Sequence, residues 1–131
     1  MPRDVVVLSA VRTGIGRFGG GLSDVPLTEL ASTVTRAAVQ RSGVEPQAVG
    51  HVVFGNVIHT DPADMYLARV AALHAALPVG TPAFGVNRPC GSGLQAIISA
   101  AQAVAAGDAE IAVAGGAESM SRAPHWLTRQ R

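Results

Sequence analysis

Lysine is absent from this chain: ten of its 131 residues are basic, and every one is arginine. The arginines stand apart, with no run or stripe. That excludes the electrostatic footprint of a nucleic-acid-binding surface. Arginine matches phosphate geometry, so an anionic small molecule stays open as a ligand. Cysteine occurs once, at position 90. No internal disulfide can form, which suits a reducing compartment, most simply the cytoplasm. Aromatic residues make up 4% and charged residues 15%, yet hydrophobic residues reach 48%. A disordered chain is excluded, and the core of one compact domain has to be built from Ala, Val and Gly. Side chains that small let helices lie close on a sheet. Met1-Pro2-Arg3-Asp4 leads straight into Val5-Val6-Val7-Leu8, too short a run for a secretory signal core. Residues 89–107 carry no charge, but Pro89, Cys90, Ser92, Gln95, Ser99 and Gln102 make them too polar for lipid. A buried helix is expected there, and no membrane partner.

What is present alternates. Val5–Leu8 is a β-branched run expected to form a buried strand. A helix follows the glycine-rich residues 13–21, with Ser23 or Asp24 as its cap and Pro26 in its first turn. Leu27, Leu30, Ala31, Val34 and Ala38 form its apolar stripe, and Gly43 fits a left-handed C-terminal cap. Val49–Val53 predicts a second strand. The next helix takes Asp61 or Asp64 as its cap and buries Tyr66, Val70, Leu73 and Leu77. Ala83–Asn87 predicts a third strand. A helix then starts at Cys90 or Gly91, buries Leu94, Ile97, Ile98, Ala101, Val104 and Ala105, and ends at Gly107. Ile111–Ala114 predicts a fourth strand, closed by Gly115-Gly116. The order βαβαβαβ argues a layered α/β domain with much of its sheet parallel.

Gly14-Ile15-Gly16-Arg17-Phe18-Gly19 matches the dinucleotide-binding fingerprint by letter. That fingerprint needs its glycines to open a helix whose N-terminus meets a pyrophosphate. Two more glycines and Leu-Ser-Asp-Val-Pro follow instead, so a structural loop is the better reading. His51, His59, His74 and His125 show no zinc-ligand spacing, and no metal site is expected.

Asn87-Arg88-Pro89-Cys90-Gly91-Ser92-Gly93 is the informative segment. A strand ends, Pro89 forces a turn, and Cys90 stands where a helix begins. Unpaired amides and the helix dipole converge there and favour a thiolate. The same amides can hold a developing oxyanion. Gly91 and Gly93 keep bulk away from the sulfur. A lone cysteine is also commonly a buried, inert one, and the residues alone leave both readings open.

Val86–Ile97 resembles the nucleophile segment of the thiolases. Residues 11–20, Val53-Phe54-Gly55-Asn56-Val57 and Gly115-Gly116-Ala117-Glu118-Ser119-Met120-Ser121 are similar to three further thiolase segments, in the same order. The resemblance covers essentially the whole chain. It implies an α/β N-terminal domain over residues 1–131, with a mixed sheet, helices on its faces, and 118–131 as the start of a loop region. It implies an acyltransferase that forms or cleaves 3-ketoacyl-CoA in fatty acid metabolism. Coenzyme A and acyl-CoA are then substrates, and no cofactor is permanently bound. Cys90 matches the acyl-accepting nucleophile, its own amide an oxyanion donor. Asn87, Gly91, Ser92, Gly93, Gly115, Gly116, Glu118 and Ser119 would support the site. Members form homodimers or homotetramers, and Ala83–Asn87 matches the strand that pairs across the dimer. The family's further catalytic residues are a histidine in a Gly-His-Pro segment, a second cysteine and an asparagine. They lie past residue 120 in the family and have no match here. Two outcomes are therefore expected: the front part of a thiolase, or an inactive truncated fragment acting at most as a pairing module.

Overall fold

The structure, a computed structural model, describes residues 4–130; Met1-Pro2-Arg3 and Arg131 lie outside them. Helix α1 (Leu27–Ser42), strand β1 (His51–Gly55), helix α2 (Leu67–His74), strand β2 (Ala83–Val86), helix α3 (Ser92–Ala106) and strand β3 (Ala112–Gly116) follow one another. Single 3-10 turns sit at Pro46–Ala48, Pro62–Tyr66 and Met120–Arg122. The three strands form one sheet in the order β2-β1-β3. Both pairings are parallel, with Val53 opposite Phe84 on one side and Ala114 on the other. The layered α/β class holds. The sheet is not mixed, however: every pairing among the described residues is parallel.

β1 is the spine of the domain. Successive side chains of a strand point to opposite faces, and here both faces are covered. Val52 and Phe54 join one core with Leu27, Ala31, Leu67, Ala68 and Ala71, so α1 and α2 lie on that side. Val53 joins Ala96 and Ala100 of α3 on the other. A strand buried on both sides reads as an unbroken apolar run, and Val52-Val53-Phe54-Gly55 is such a run. The step from β1 to β2 and the step back past β1 to β3 go in opposite directions, which puts α2 and α3 on opposite faces.

Several expectations need correction. Val5–Leu8 forms no strand: residues 4–17 carry no regular structure, and Val6 and Val7 are 72% and 80% exposed. None of the three strands takes this run as a neighbour. Just after the run, the Ser9 hydroxyl donates to the Ala38 carbonyl at 2.7 Å. α1 has no side-chain cap, because Pro26 itself occupies the cap position. Ser23 and Asp24 belong to the preceding turn. Gly43 and Gly107 do close α1 and α3 in the left-handed conformation, at φ 71° and 89°.

The faces of α2 and α3 differ most from expectation. α2 buries Leu67, Ala68, Ala71 and Ala72, while Tyr66 is 67% and Leu73 40% exposed. α3 buries Ser92, Ala96 and Ala100 in an i, i+4, i+8 line. Leu94, Ile97 and Ile98 point outward. α3 lies on the sheet by small side chains alone, and α2 by three alanines and Leu67.

The glycine fingerprint opens no helix. Gly19 adopts a left-handed φ of 65°, and the next helix begins at Leu27. Residues 17–20 close as a turn, with the Gly20 amide on the Arg17 carbonyl at 2.9 Å.

Candidate active site

Three parallel strands bring their C-terminal ends to one edge of the sheet. In α/β folds, ligands bind at that edge, where strand order reverses. Gly55-Asn56, Val86-Asn87 and Gly116-Ala117-Glu118 meet there, beside the N-terminus of α3.

Cys90 lies between β2 and α3 as a free, exposed thiol. α3 begins at Ser92 with Gly91 as its cap, so the cysteine stands directly before the cap. Two tight turns hold it: the Gly91 amide donates to the Arg88 carbonyl at 2.8 Å, and the Ser92 amide to the Pro89 carbonyl at 3.2 Å. The Cys90 amide takes part in neither bond. The Ser92 hydroxyl accepts from the Arg88 amide at 2.8 Å and donates to the Pro89 carbonyl at 2.8 Å. Arg88 is drawn along the helix, its guanidinium donating to Gln95 Oε1 at 2.6 Å.

Two glycines let this turn sit against the strand ends. A Cβ on Gly55 would lie 2.5 Å from the Ser92 carbonyl oxygen, and one on Gly116 would lie 3.0 Å from the Gly93 Cα. Gly115 does something else: a Cβ there would strike the Phe54 ring, 2.7 Å from its Cζ. It makes room for the core and not for the turn.

Glu118 closes the loop after β1. Its carboxylate accepts from the Val57 amide at 3.0 Å, the Ile58 amide at 2.9 Å and Asn56 Nδ2 at 2.9 Å. Asn56 Nδ2 also donates to the Ala117 carbonyl at 3.0 Å, and the Asn56 amide reaches the Val86 carbonyl at 3.1 Å. Asn56 thus ties the ends of all three strands together. It and Gly55 are the residues that sequence reasoning missed. They lie in the thiolase-like segment Val53-Phe54-Gly55-Asn56-Val57, but were not singled out there as site residues.

Of the remaining candidates, Ser119 is buried and its carbonyl receives the Arg122 amide at 3.1 Å. Asn87 is exposed at the mouth of a cleft of about 240 Å³, together with Phe54, Asn56, Asp64, Met65 and Val86. Asp61 and Asp64 cap each other reciprocally on that cleft's flank. No group of three or more His, Cys, Asp or Glu that could hold a metal occurs among the described residues. No helix among them is long and apolar enough to cross a membrane.

An exposed thiol on a glycine-lined turn, at the binding edge of a parallel sheet, is equipped for nucleophilic attack on a carbonyl. Comparison with known proteins identifies the family. The family described as "Thiolase, N-terminal domain" matches residues 5–131. "Beta-ketothiolase BktB" of Cupriavidus necator is 59% identical over 125 residues, covering 95% of this chain and 32% of that protein. An "Acetyl-CoA acetyltransferase" of the same organism is 50% identical, over 98% of this chain and 32% of its own length. The crystal structure of the Bacillus anthracis acetyl-CoA acetyltransferase superposes with a TM-score of 0.94 at 43% identity, covering 99% of this chain and 33% of that one. Human mitochondrial 3-ketoacyl-CoA thiolase, solved in complex with CoA, gives 0.93 at 39% identity, over 95% and 32%. The chain spans about a third of the length of these relatives.

Proposed function

This chain belongs to the thiolase family, matching its N-terminal domain, and from that premise we propose that it carries the acyl-accepting nucleophile of a coenzyme A–dependent acyltransferase. The single observation that carries the proposal is the free, exposed Cys90 held on the turn before α3. In the first half-reaction the Cys90 thiolate attacks the carbonyl carbon of an acyl-CoA. The oxyanion that forms is held by backbone amides, that of Cys90 among them. The carbon–sulfur bond to coenzyme A then breaks, CoA leaves as a thiolate and takes up a proton, and the acyl group remains as a thioester on Cys90. One thioester replaces another, so the step is close to balanced in free energy.

In the second half-reaction the acyl carbon meets one of two nucleophiles. A carbanion from the α-carbon of a second acyl-CoA forms a carbon–carbon bond and releases 3-ketoacyl-CoA. In the cleavage direction the acyl group passes from Cys90 to a CoA thiol. The groups that move protons to and from the thiol and the α-carbon belong, in this reading, to the roughly two thirds of the relatives' length that this chain does not span.

The assignment extends to cellular context. We place the protein in the cytoplasm and in fatty acid metabolism, supported by its single cysteine and by a Mus musculus relative named "Acetyl-CoA acetyltransferase, cytosolic", 46% identical over 127 residues. A homodimer or homotetramer is proposed through β2. That strand is a sheet edge and carries Phe84, 43% exposed; unpaired edges are templates for pairing with another chain.

The test is acyl labelling. Acetyl-CoA is mixed with the purified chain, and the intact mass and peptide map are read. One acetyl group on Cys90, absent in Cys90→Ser, is the expected result. A folded protein that takes up no label sinks the assignment and leaves the second reading, an inactive pairing module.

A further inference from the structure

We propose that Ser92 is the positioning residue of the nucleophile turn, acting through its hydroxyl. This rests on the reading of Cys90 as the acyl acceptor and adds a residue on which that role depends. Serine at a helix start ordinarily caps the helix with its side chain. Here the cap position belongs to Gly91 and has no side-chain bond. The Ser92 hydroxyl turns back instead, accepting from the Arg88 amide and donating to the Pro89 carbonyl, both at 2.8 Å.

One of those groups, the Pro89 carbonyl, belongs to the peptide that leads into Cys90, and the other lies one residue before it. β2 has ended at Val86, so the Arg88 amide has no place in the strand ladder. Pro89 carries no amide to donate. The hydroxyl therefore adds a side-chain link across the turn around the cysteine, beside the two backbone bonds from Gly91 to Arg88 and from Ser92 to Pro89, and it is the acceptor of the Arg88 amide. Ser92 is itself held: it is 5% exposed, and the backbone of Gly55 presses so close that a Cβ there would meet the Ser92 carbonyl oxygen at 2.5 Å. A residue anchored from behind that grips the turn in front sets the direction in which the thiol leaves the backbone. Alanine at 92 would leave the Arg88 amide without its acceptor and free the turn to reorient.

The 131-residue chain is tested as wild type, Ser92→Ala and Ser92→Thr. Folding is checked by thermal melt. Two readouts follow: amide hydrogen exchange at Arg88, and the rate of Cys90 acylation by acetyl-CoA. In Ser92→Ala the Arg88 amide is expected to exchange about tenfold faster, as loss of one hydrogen bond implies, and acylation to slow by about tenfold or more. Ser92→Thr is expected to restore both to within about threefold, which a residue that only filled space would not require. Wild-type acylation in folded Ser92→Ala overturns the proposal, as does a folded Ser92→Thr as slow as the alanine variant. If Ser92→Ala fails to fold, Ser92→Thr decides alone: preserved acylation and protection uphold the role of the hydroxyl, and their loss refutes it. If the wild type takes no acetyl group, the functional reading falls, and the exchange readout still decides whether Ser92 holds the turn.

Discussion

Gly55 and Ser92 meet backbone to backbone: a methyl group added to Gly55 would lie 2.5 Å from the Ser92 carbonyl oxygen and 2.7 Å from the Gly93 nitrogen. Neither contact is with a flexible side-chain end, so nothing can move aside cheaply. Gly55→Ala must push the start of α3 away from the sheet. Overpacking of this kind costs about 1–3 kcal/mol, and a drop in melting temperature of several degrees is expected. Acylation of Cys90 should fall with it. An unchanged melt would show that the turn is free to shift.

Asn56 ties the strand ends through its amide nitrogen, which donates at once to Glu118, the Ala117 carbonyl and the Ile58 carbonyl. Asn56→Asp keeps the shape and replaces every donor with an acceptor, facing a carboxylate. Asn56 is 6% exposed, so the new charge would be buried without a partner. A loss of about 3–5 kcal/mol is expected, on the scale of an uncompensated buried charge, and chemical denaturation measures it. Stability within experimental error of the wild type would refute the role.

Glu118 is exposed overall, yet its two oxygens hold the amides of Val57 and Ile58. Glu118→Gln retains one oxygen acceptor; Glu118→Ala retains none. Hydrogen exchange at Val57 and Ile58 should rise in the order wild type, Gln, Ala, with the alanine variant about tenfold or more above wild type, charged acceptors being the stronger ones. Equal rates in all three would mean that the loop holds itself.

The two faces of α3 should answer substitution differently. Ala96 is fully buried against the sheet, whereas Ile97 is 50% exposed. Ala96→Leu would wedge the helix off the strands at a cost of about 1–3 kcal/mol. Ile97→Gln should stay within about 0.5 kcal/mol, as surface changes do. Thermal melts of the isolated chain distinguish the two, and a reversed order would show that the helix packs by its large residues.

How much of this was readable beforehand varies from element to element. β1, β2 and β3 fall within two residues of the runs 49–53, 83–87 and 111–114, because buried parallel strands are written as short apolar blocks between turn residues. Gly43 and Gly107 mark helix ends, because only glycine enters the left-handed region without strain. Which side of a helix faces the core was less legible. α3 is apolar nearly all round, so its periodicity offers two stripes, Leu94-Ile97-Ile98 and Ala96-Ala100. The larger residues look like the core, and it is the distance from helix to sheet, a tertiary quantity, that admits only alanine. Val5–Leu8 has the composition of a buried strand, but composition does not supply a neighbour. At the site, Cys90 and its glycines stood out through local grammar. Asn56 did not, since its importance lies in reaching residues about sixty positions away.

That reach orders events during synthesis. The Cys90 turn is assembled from residues 88–92, but the strand that flanks it through Gly116 is made after it. β1 pairs Val52 with Val113, so half of the sheet's pairing waits for a strand made some sixty residues later. Until β3 has joined, the Cys90 turn lacks Gly116 beside it and the loop after β1 lacks Glu118 to fasten it. The surroundings of Cys90 are thus completed by residues that follow it in the chain, and the geometry of its turn is a property of the assembled sheet.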